Sequence, residues 1–245
     1  ELIDAGGNVV GSTTTDADGL WNIAKIGSDQ SDPTAMPILP GTYTVRFTSP
    51  AGMAPTVTDG GAPDSDAVDS DGVFASASAA TGTTPAFDLS SGEHEPDVDQ
   101  GFFIPVSVGD LVWQDTNGDG VQGPVGSEPP VAGAQVTLWR TTDGGTTWSQ
   151  VTADIDGVTF GSAGTITTAA DGLYLFDNLQ PGTYQVRFTA PVGFVLTGAD
   201  SVLGTEATDS DAVRTSPSAG STAAFTLVSG DARTDVDAGV FEPVT

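Results

Sequence analysis

Oxygen-bearing side chains recur at alternate positions in one stretch of the chain, Asp115-Thr-Asn117-Gly-Asp119-Gly-Val121-Gln. Carboxylate and amide oxygens at this spacing, followed by a glycine for a sharp turn, suit calcium, a hard cation that takes roughly six to eight oxygen ligands. We expect Asp115, Asn117 and Asp119 to supply side-chain oxygens and Val121 a backbone carbonyl. In the alternative interpretation, the Asn-Gly and Asp-Gly pairs are hairpin turns that bind no cation.

The acid that would close this loop is displaced. An EF-hand closes its site with a bidentate carboxylate at the twelfth position, which here is Gly126. Glu128 lies two residues later and is the expected closing ligand of a slightly longer loop. The pairs Gly123-Pro124 and Pro129-Pro130 forbid the helix that would follow an EF-hand loop.

The composition is that of an acidic chain rich in turns. Of its 33 acidic residues, 27 are aspartate, which disfavours helices and favours turns and cation sites. An acidic surface adapted to high salt is the alternative explanation for this excess. Either interpretation favours a chain built from loops and short strands.

The same composition excludes several classes of function. The net charge of −27 disfavours binding to nucleic acid or anionic lipid. No cysteine is present, which excludes disulfides and thiol catalysis. Without a signal peptide or an apolar run of about 20 residues, the chain is expected to be a mature or internal piece with no membrane insertion.

Two copies of one sequence unit follow each other along the chain. Their motifs recur in the same order with spacers of different length, as expected of one fold with variable loops. We therefore predict two domains, residues 1–105 and residues 106–245. The recurring segments are Leu39–Gly52 with Leu179–Gly193, Asp64-Ser-Asp66-Ala-Val with Asp209-Ser-Asp211-Ala-Val, and Ala86–Phe102 with Ala224–Val240.

The two copies differ in completeness. The second opens with Gly109-Asp-Leu-Val-Trp113 and the calcium loop, and continues into Ala134–Trp139. The first begins at a position that aligns with the end of that last segment. We therefore expect domain 1–105 to lack its opening strand and calcium loop, as in a window cut from a longer array of repeats.

Strand periodicity dominates both copies. Apolar side chains alternate with polar ones in Thr42–Phe47 and Thr183–Phe188, while Asp18–Trp21 and Asp171–Phe176 are each predicted as a turn followed by a strand. Many short strands separated by turns indicate an all-β fold: two tandem immunoglobulin-like or prealbumin-like β-sandwich domains.

The order of these motifs resembles a known family. Gly-Asp-x-Val-Trp, Asp-x-Asn-x-Asp-Gly-x-Gln, Asp-Gly-x-Tyr-x-Phe, Leu-x-Pro-Gly-x-Tyr-x-Val-x-Phe and Asp-x-Asp-x-Gly together are similar to the SdrD B-like domains of bacterial surface proteins, relatives of the CnaB-type sandwiches. The resemblance implies extracellular, rod-forming spacer modules that bind Ca²⁺. CnaB relatives often carry a Lys–Asn crosslink, but the second copy has no lysine.

The resemblance also directs attention to the Asp-Ser-Asp and Asp-x-Asp motifs. Clustered carboxylates repel one another unless a cation or water separates them, although a solvated acidic loop is the alternative. A further motif, Asp69-Ser-Asp71, is expected to be a turn without a counterpart in the second copy. The additional candidate calcium ligands are Asp209, Asp211, Asp235 and Asp237, with Asp64, Asp66, Asp97 and Asp99 in the first copy.

No catalytic constellation stands out. His94 is the only histidine and aligns with Ala232, so the repeats share no histidine-based site. The leading hypothesis is a non-enzymatic, calcium-stiffened spacer whose partners are neighbouring repeats of the same protein. One alternative is a homopolymeric filament joined by strand donation. Another is an adhesin module that binds carbohydrate or protein through Trp148 and the 142–168 insertion.

Overall fold

The computed structural model describes residues 1–58, 70–124, 126–199, 204–205 and 207–244. The chain divides into a first unit, Glu1–Phe103, and a second unit, Ile104–Thr245; the sequence places the boundary between residues 105 and 106. All regular structure in the described residues is β-strand, which confirms the all-β prediction. No helix in these ranges has the length and apolarity needed to cross a membrane.

The first unit has one large sheet and one small one. The large sheet has the order β2-β1-β3-β6-β5, with β7 paired to β3, and the small sheet contains only β4 and β8. The strands are β1 (Leu2–Asp4), β2 (Val9–Gly11), β3 (Gly41–Thr48), β4 (Ala54–Pro55), β5 (Val73–Phe74), β6 (Thr81–Thr83), β7 (Phe87–Leu89) and β8 (Phe102–Phe103).

The second unit begins with a long strand, β9 (Val106–Gln114). Its other strands are β10 (Gln135–Thr141), β11 (Ser149–Val151), β12 (Thr165–Thr167), β13 (Leu173–Leu179), β14 (Gly182–Thr189), β15 (Val195–Leu196), β16 (Val213–Ser216), β17 (Ala219–Ser221), β18 (Phe225–Leu227), β19 (Ala232–Arg233) and β20 (Ala238–Phe241).

Two sheets of this unit enclose its core. One has the order β11-β10-β14-β17-β16, with β12 on β10 and β18 on β14. The other has the order β13-β9-β20-β15, with β19 also paired to β9. Strand β9 is antiparallel to β13 but parallel to β19 and β20. The inner faces therefore meet in a β-sandwich, as the alternation predicts.

Buried side chains of β14 and β9 meet between the sheets of the second unit. On β14, the predicted inward residues Tyr184, Val186 and Phe188 are at most 2% exposed. On β9, Val108 and Trp113 are completely buried. Because the side chains of a strand point alternately to its two faces, this pattern gives the second unit a continuous apolar core.

The first unit has a much smaller core. Among its described residues, only Leu2, Tyr43 and Val45 form a buried apolar cluster. Trp21 and Ile23 are only partly buried, whereas their counterparts Tyr174 and Phe176 in the second unit are 4% and 0% exposed. The missing burial lies on the side where the second unit has its β9 sheet.

The prediction of a strand after Asp18-Gly19 is wrong. Residues 20–24 form no strand, although the corresponding residues of the second unit form β13. Strand β13 exists by pairing with β9, for example Leu173 with Leu111 and Phe176 with Val108. The described residues of the first unit include no equivalent of β9, so residues 20–24 have no strand among them with which to form a ladder.

A pair of core truncations tests this difference. We expect Phe176→Ala to destabilise the second unit by about 3–5 kcal/mol, because it opens a cavity in a closed core. Ile23→Ala, at the corresponding place in the first unit, is expected to cost clearly less because that side chain is already partly hydrated. Chemical denaturation of the full chain measures both, and equal losses would contradict the assignment of an open core.

Candidate metal centre

The predicted calcium loop follows directly from the end of β9. Asp115 is only 1% exposed. Its Oδ1 accepts a hydrogen bond from the Gly118 amide (2.6 Å), and its Oδ2 accepts one from the Gly120 amide (3.0 Å). Both glycines have positive φ, 77° and 75°, a conformation that side chains with a Cβ rarely adopt. The two glycines thus wrap the backbone around one carboxylate.

The next two predicted ligands hold the outer half of the loop. Asn117 Oδ1 accepts the Asp119 amide (3.0 Å), and Asp119 Oδ1 accepts the Val121 amide (2.9 Å). Asn117 Nδ2 also donates to Asp119 Oδ2 (2.9 Å). Local bonds of this kind stabilise turns with or without a cation, and they leave further lone pairs on each oxygen.

Glu128 closes the loop from its far end. The side chain is 8% exposed. Its Oε1 accepts the Thr116 amide (3.0 Å), and its Oε2 accepts the Gly123 amide (2.7 Å). The carboxylate therefore contacts both ends of the loop in spite of its displacement in sequence.

Several distant segments converge on this loop. Thr197, just after β15, donates its hydroxyl to Asp115 Oδ2, while the Asp115 amide donates to the Val240 carbonyl of β20 (2.8 Å). The Ser210 amide donates to the Gly120 carbonyl (3.2 Å). Asp209, which is 9% exposed, forms an isolated antiparallel β-bridge with Val121 through the backbone. The structure thus brings one residue of the Asp-Ser-Asp motif beside the loop.

The other acids of the second unit form a separate group around Asp237. This side chain is completely buried, and its Oδ2 has no hydrogen-bond donor among the described residues. Its amide donates to Asp211 Oδ2 (2.7 Å), and its Oδ1 accepts the Leu111 amide (3.4 Å). Asp235 lies two residues away and forms an ion pair with Arg233 (2.8 Å).

Asp110 belongs to this group and was not predicted from the sequence. Burial raises the pKa of Asp110, and the charge of Asp235 raises it further. Burial, followed by the charge of Asp110, raises the pKa of Asp237 from its ordinary 3.8 to about 8. Asp110 and Asp237 can hydrogen-bond to each other only when one of them keeps a proton. Asp110 lies in the strand motif Gly-Asp-x-Val-Trp, and nothing in that motif indicates that its side chain lies near other acids.

The first unit repeats part of this group, with a correction to the motif alignment. The Asp71 amide donates to the Asp99 carbonyl (3.0 Å), and the Asp99 amide donates to Asp71 Oδ2 (2.7 Å). Asp211 and Asp237 exchange the same two bonds, at 3.0 and 2.7 Å. Ser70-Asp71 is therefore the counterpart of Ser210-Asp211, and the prediction that it is a turn without a counterpart is wrong.

The remaining first-copy candidates are less constrained. Asp97 and Asp99 are both partly exposed and lie one residue apart on either side of Val98. Asp64 and Asp66 lie outside the described residues. Across the described ranges, no three histidine, aspartate or glutamate side chains converge as a preformed metal cage. Calcium ligation by all of these residues therefore stays a prediction.

Trp148, the predicted ligand-binding residue, is partly buried in a hairpin loop. Its ring lies over the Gly144-Gly145 turn, where a Cβ at position 145 would be 3.8 Å from the indole. Strand β11, which follows Trp148, pairs with β10 as β2 pairs with β1 in the first unit. The 142–168 insertion is therefore a longer loop around a shared strand, and ligand binding by Trp148 stays a prediction.

The family of the chain follows from its sequence motifs and from this arrangement of strands. The family model of the SdrD B-like domain matches residues 1–102 and 158–240, which together are more than half of the chain. The chain belongs to the SdrD B-like domain family. The resemblance predicted from the motifs is thereby confirmed.

Two curated proteins that are similar to these SdrD B-like units come from staphylococci. The chain is 33% identical over 202 residues to serine-aspartate repeat-containing protein F of Staphylococcus epidermidis, a match that covers 82% of the chain and 10% of the relative. It is 32% identical over 202 residues to serine-aspartate repeat-containing protein C of Staphylococcus aureus, covering 82% of the chain and 17% of the relative. The chain thus corresponds to a small part of each.

Solved structures give a weaker likeness. The minor pilin GBS52 of Streptococcus agalactiae matches with a TM-score of 0.35 and 12% identity, over 68% of this chain and 66% of the pilin. The family match and the staphylococcal relatives indicate that these SdrD B-like units lie outside the cell, at the bacterial surface. This location agrees with the one expected from the sequence resemblance.

The raised pKa of Asp237 leads to a test of stability against pH. A carboxyl group whose pKa is raised on folding stabilises the folded state below about pH 4, and this contribution is lost as the pH rises towards 8. In the presence of a chelator, we expect the melting temperature of the second unit to fall between pH 5 and pH 8. Asp237→Asn removes the titration and should flatten this dependence. The exposed Asp171→Asn is the charge-matched control, and an equal pH dependence in Asp237→Asn and the wild-type chain would contradict the assignment.

Proposed function

We propose that the chain is a pair of structural spacer modules in a bacterial surface protein, stiffened by calcium. The observation that carries the proposal is the convergence on the 115–128 loop of the ends of β9, β15 and β20 and of residues 208–210. A cation bound there would connect segments that are far apart in sequence. Such a role needs no substrate cleft and no catalytic group.

The donor set of the loop fits a hard cation. Asp115 and Glu128 are buried carboxylates, and burial of an ionised carboxylate is costly unless a counter-charge or good donors compensate it. Backbone amides satisfy part of this need, while Asn117, Asp119 and the Val121 carbonyl add the neutral and charged oxygens that calcium prefers. When bound, the cation would supply the missing positive charge.

The group around Asp237 supports a second cation position in the same unit. Three further acids, Asp110, Asp211 and Asp235, lie near a completely buried carboxyl group whose Oδ2 lacks a donor. A cation would remove both the repulsion among these acids and the unsatisfied oxygen. Because the first unit repeats the Asp71–Asp99 exchange, an equivalent position there would involve Asp97 and Asp99.

Calcium titration tests the ligand assignment. We expect Asp119→Asn and Glu128→Gln each to weaken calcium binding at the loop by at least about tenfold, because each removes one anionic ligand. The readout is isothermal titration calorimetry on the full chain. Asp171→Asn carries the same charge change at an exposed turn and should leave the isotherm unaltered. Undiminished binding in the Asp119 and Glu128 variants would remove the loop from the proposal.

Chelation tests the stiffening. Removal of calcium should lower the melting temperature of the second unit by mass action, while far-ultraviolet circular dichroism stays β-type because the apolar core remains. Small-angle scattering should show a broader distribution of dimensions after chelation. Calcium-independent stability and dimensions would contradict the spacer mechanism, even if calcium binds.

A further inference from the structure

One asparagine of the chain differs from the others in the residue that follows it. Asparagine is thermolabile, because the backbone nitrogen of the next residue can attack the side-chain carbonyl carbon, close a cyclic imide and expel ammonia. A bulky or β-branched next residue hinders this attack, whereas glycine leaves the nitrogen accessible. Asn117 is followed by glycine, while the other three asparagines are followed by Val9, Ile23 and Leu179. The sequence therefore singles out Asn117 as the labile asparagine.

The peptide bond after Asn117 is open to water. Asn117 and Gly118 are both exposed. A Cβ built on Gly118, whose φ is 77°, would meet no atom within 4 Å among the described residues beyond its two chain neighbours. Solvent therefore reaches the Gly118 nitrogen from this side of the loop, and it supplies the water that opens a cyclic imide.

Hydrogen bonds within the loop prepare the same dipeptide for the attack. The Gly118 amide donates to Asp115 Oδ1 (2.6 Å), and this charge-assisted bond draws the proton away from the attacking nitrogen. The Asp119 amide donates to Asn117 Oδ1 (3.0 Å), the oxygen that gains negative charge when its carbon is attacked. The loop thus offers a proton acceptor and an oxyanion donor around one bond.

The leaving group of this reaction is also held in place. Asn117 Nδ2 donates to Asp119 Oδ2 (2.9 Å), so both atoms of the side-chain amide are engaged by the same residue. This fixes the plane of the amide relative to the backbone that follows it. Orientation of two reacting groups within one chain lowers the entropic part of a barrier.

We propose that Asn117 is a site of self-modification, at which the loop converts a neutral amide ligand into a carboxylate when no cation is bound. The Gly118 nitrogen forms a bond to Asn117 Cγ, and the bond from Cγ to Nδ2 breaks. The Gly118 proton, accepted by Asp115, passes to the departing nitrogen, which leaves as ammonia. Water then adds across one of the two C–N bonds of the imide and yields aspartate or isoaspartate at position 117. The reaction consumes one water, releases one ammonia and needs no oxidant or reductant.

The dependence of this reaction on calcium rests on the proposed function. With calcium bound, Asp115 and the Asn117 oxygen would be ligands, and they could not serve proton transfer or ring closure. Calcium should therefore slow the loss of the amide. Aspartate at position 117 would add a negative ligand and raise the affinity of the loop for calcium, whereas isoaspartate would lengthen the backbone by a methylene group and disturb the loop.

Peptide mapping by mass spectrometry tests the proposal on the full chain. The chain is incubated at mildly alkaline pH, in a chelator or in saturating calcium, and each asparagine is followed over time. In chelator, we expect Asn117 to be converted at least about tenfold faster than Asn8, Asn22 and Asn178, whose following side chains hinder the attack. Calcium should slow the conversion of Asn117 severalfold and leave the other three unchanged.

The variant Asp115→Asn tests the assistance by the loop. It keeps the shape of the side chain but removes the negative charge that accepts the Gly118 proton, so conversion of Asn117 in chelator should slow. The exposed Asp171→Asn is the charge-matched control and should convert at the wild-type rate. Faster conversion in Asp115→Asn would show that the native hydrogen bonds protect the amide, and would overturn the proposal.

The wild-type chain gives a decisive result without any variant. Conversion of Asn117 no faster than that of the other asparagines in chelator would overturn the proposal. Equal conversion in chelator and in calcium would also overturn it, if calorimetry shows that calcium binds at the loop. If calorimetry shows no calcium binding, the calcium-stiffened spacer fails, while rapid conversion of Asn117 in chelator still supports the modification site.

Discussion

The pairing of β9 on both of its edges is the interaction on which the second unit depends. Its antiparallel ladder with β13 and its parallel ladders with β19 and β20 join the two ends of the unit into one sheet. The same strand buries Val108 and Trp113 in the core, and it ends at Gln114, directly before Asp115 of the predicted calcium loop. Backbone pairing, apolar burial and the position of the candidate metal centre therefore have a common origin in one nine-residue segment.

The first unit shows what the fold retains when this strand is absent. Its large sheet keeps the same order around β3 as the second unit keeps around β14, because β1, β6 and β7 pair with β3 independently of the other sheet. The small sheet is reduced to β4 and β8. The apolar residues at positions 21, 23 and 98 remain in the sequence but reach only partial burial. Side-chain pattern alone thus does not make a strand when its hydrogen-bonding partner is missing.

The dependence of a strand on its hydrogen-bonding partner explains which features could be predicted from the sequence. Alternation identified the buried face of β14 correctly, because the period of two within a strand alone decides that Tyr184, Val186 and Phe188 share one face. The spacing of acids and glycines identified a loop that does fold around Asp115. Alternation failed at residues 20–24, since strand formation there depends on a pairing strand elsewhere in the chain.

Asp110 was missed for a related reason. Its acid neighbours come from residues 211–237, and only the order of strands in the sheet brings them together. The sequence identity of the two Asp-Ser-Asp-Ala-Val segments led to a wrong alignment of the first copy. The hydrogen bonds between Asp71 and Asp99 show that Asp71 is the counterpart of Asp211.

The parallel arrangement of β9 and β20 has a mechanical consequence. These strands lie near the two ends of the second unit, and Ala238, Gly239 and Val240 pair with Val112, Trp113 and Gln114. Tension applied to the two ends of this unit pulls the paired strands in opposite directions along their own axes. The ladder is then loaded in shear, so its hydrogen bonds must break together and not one after another as in an unzipped hairpin. The contact between Asp115 and Val240 continues this connection past the last ladder pair. We therefore expect the second unit to resist extension at this ladder first.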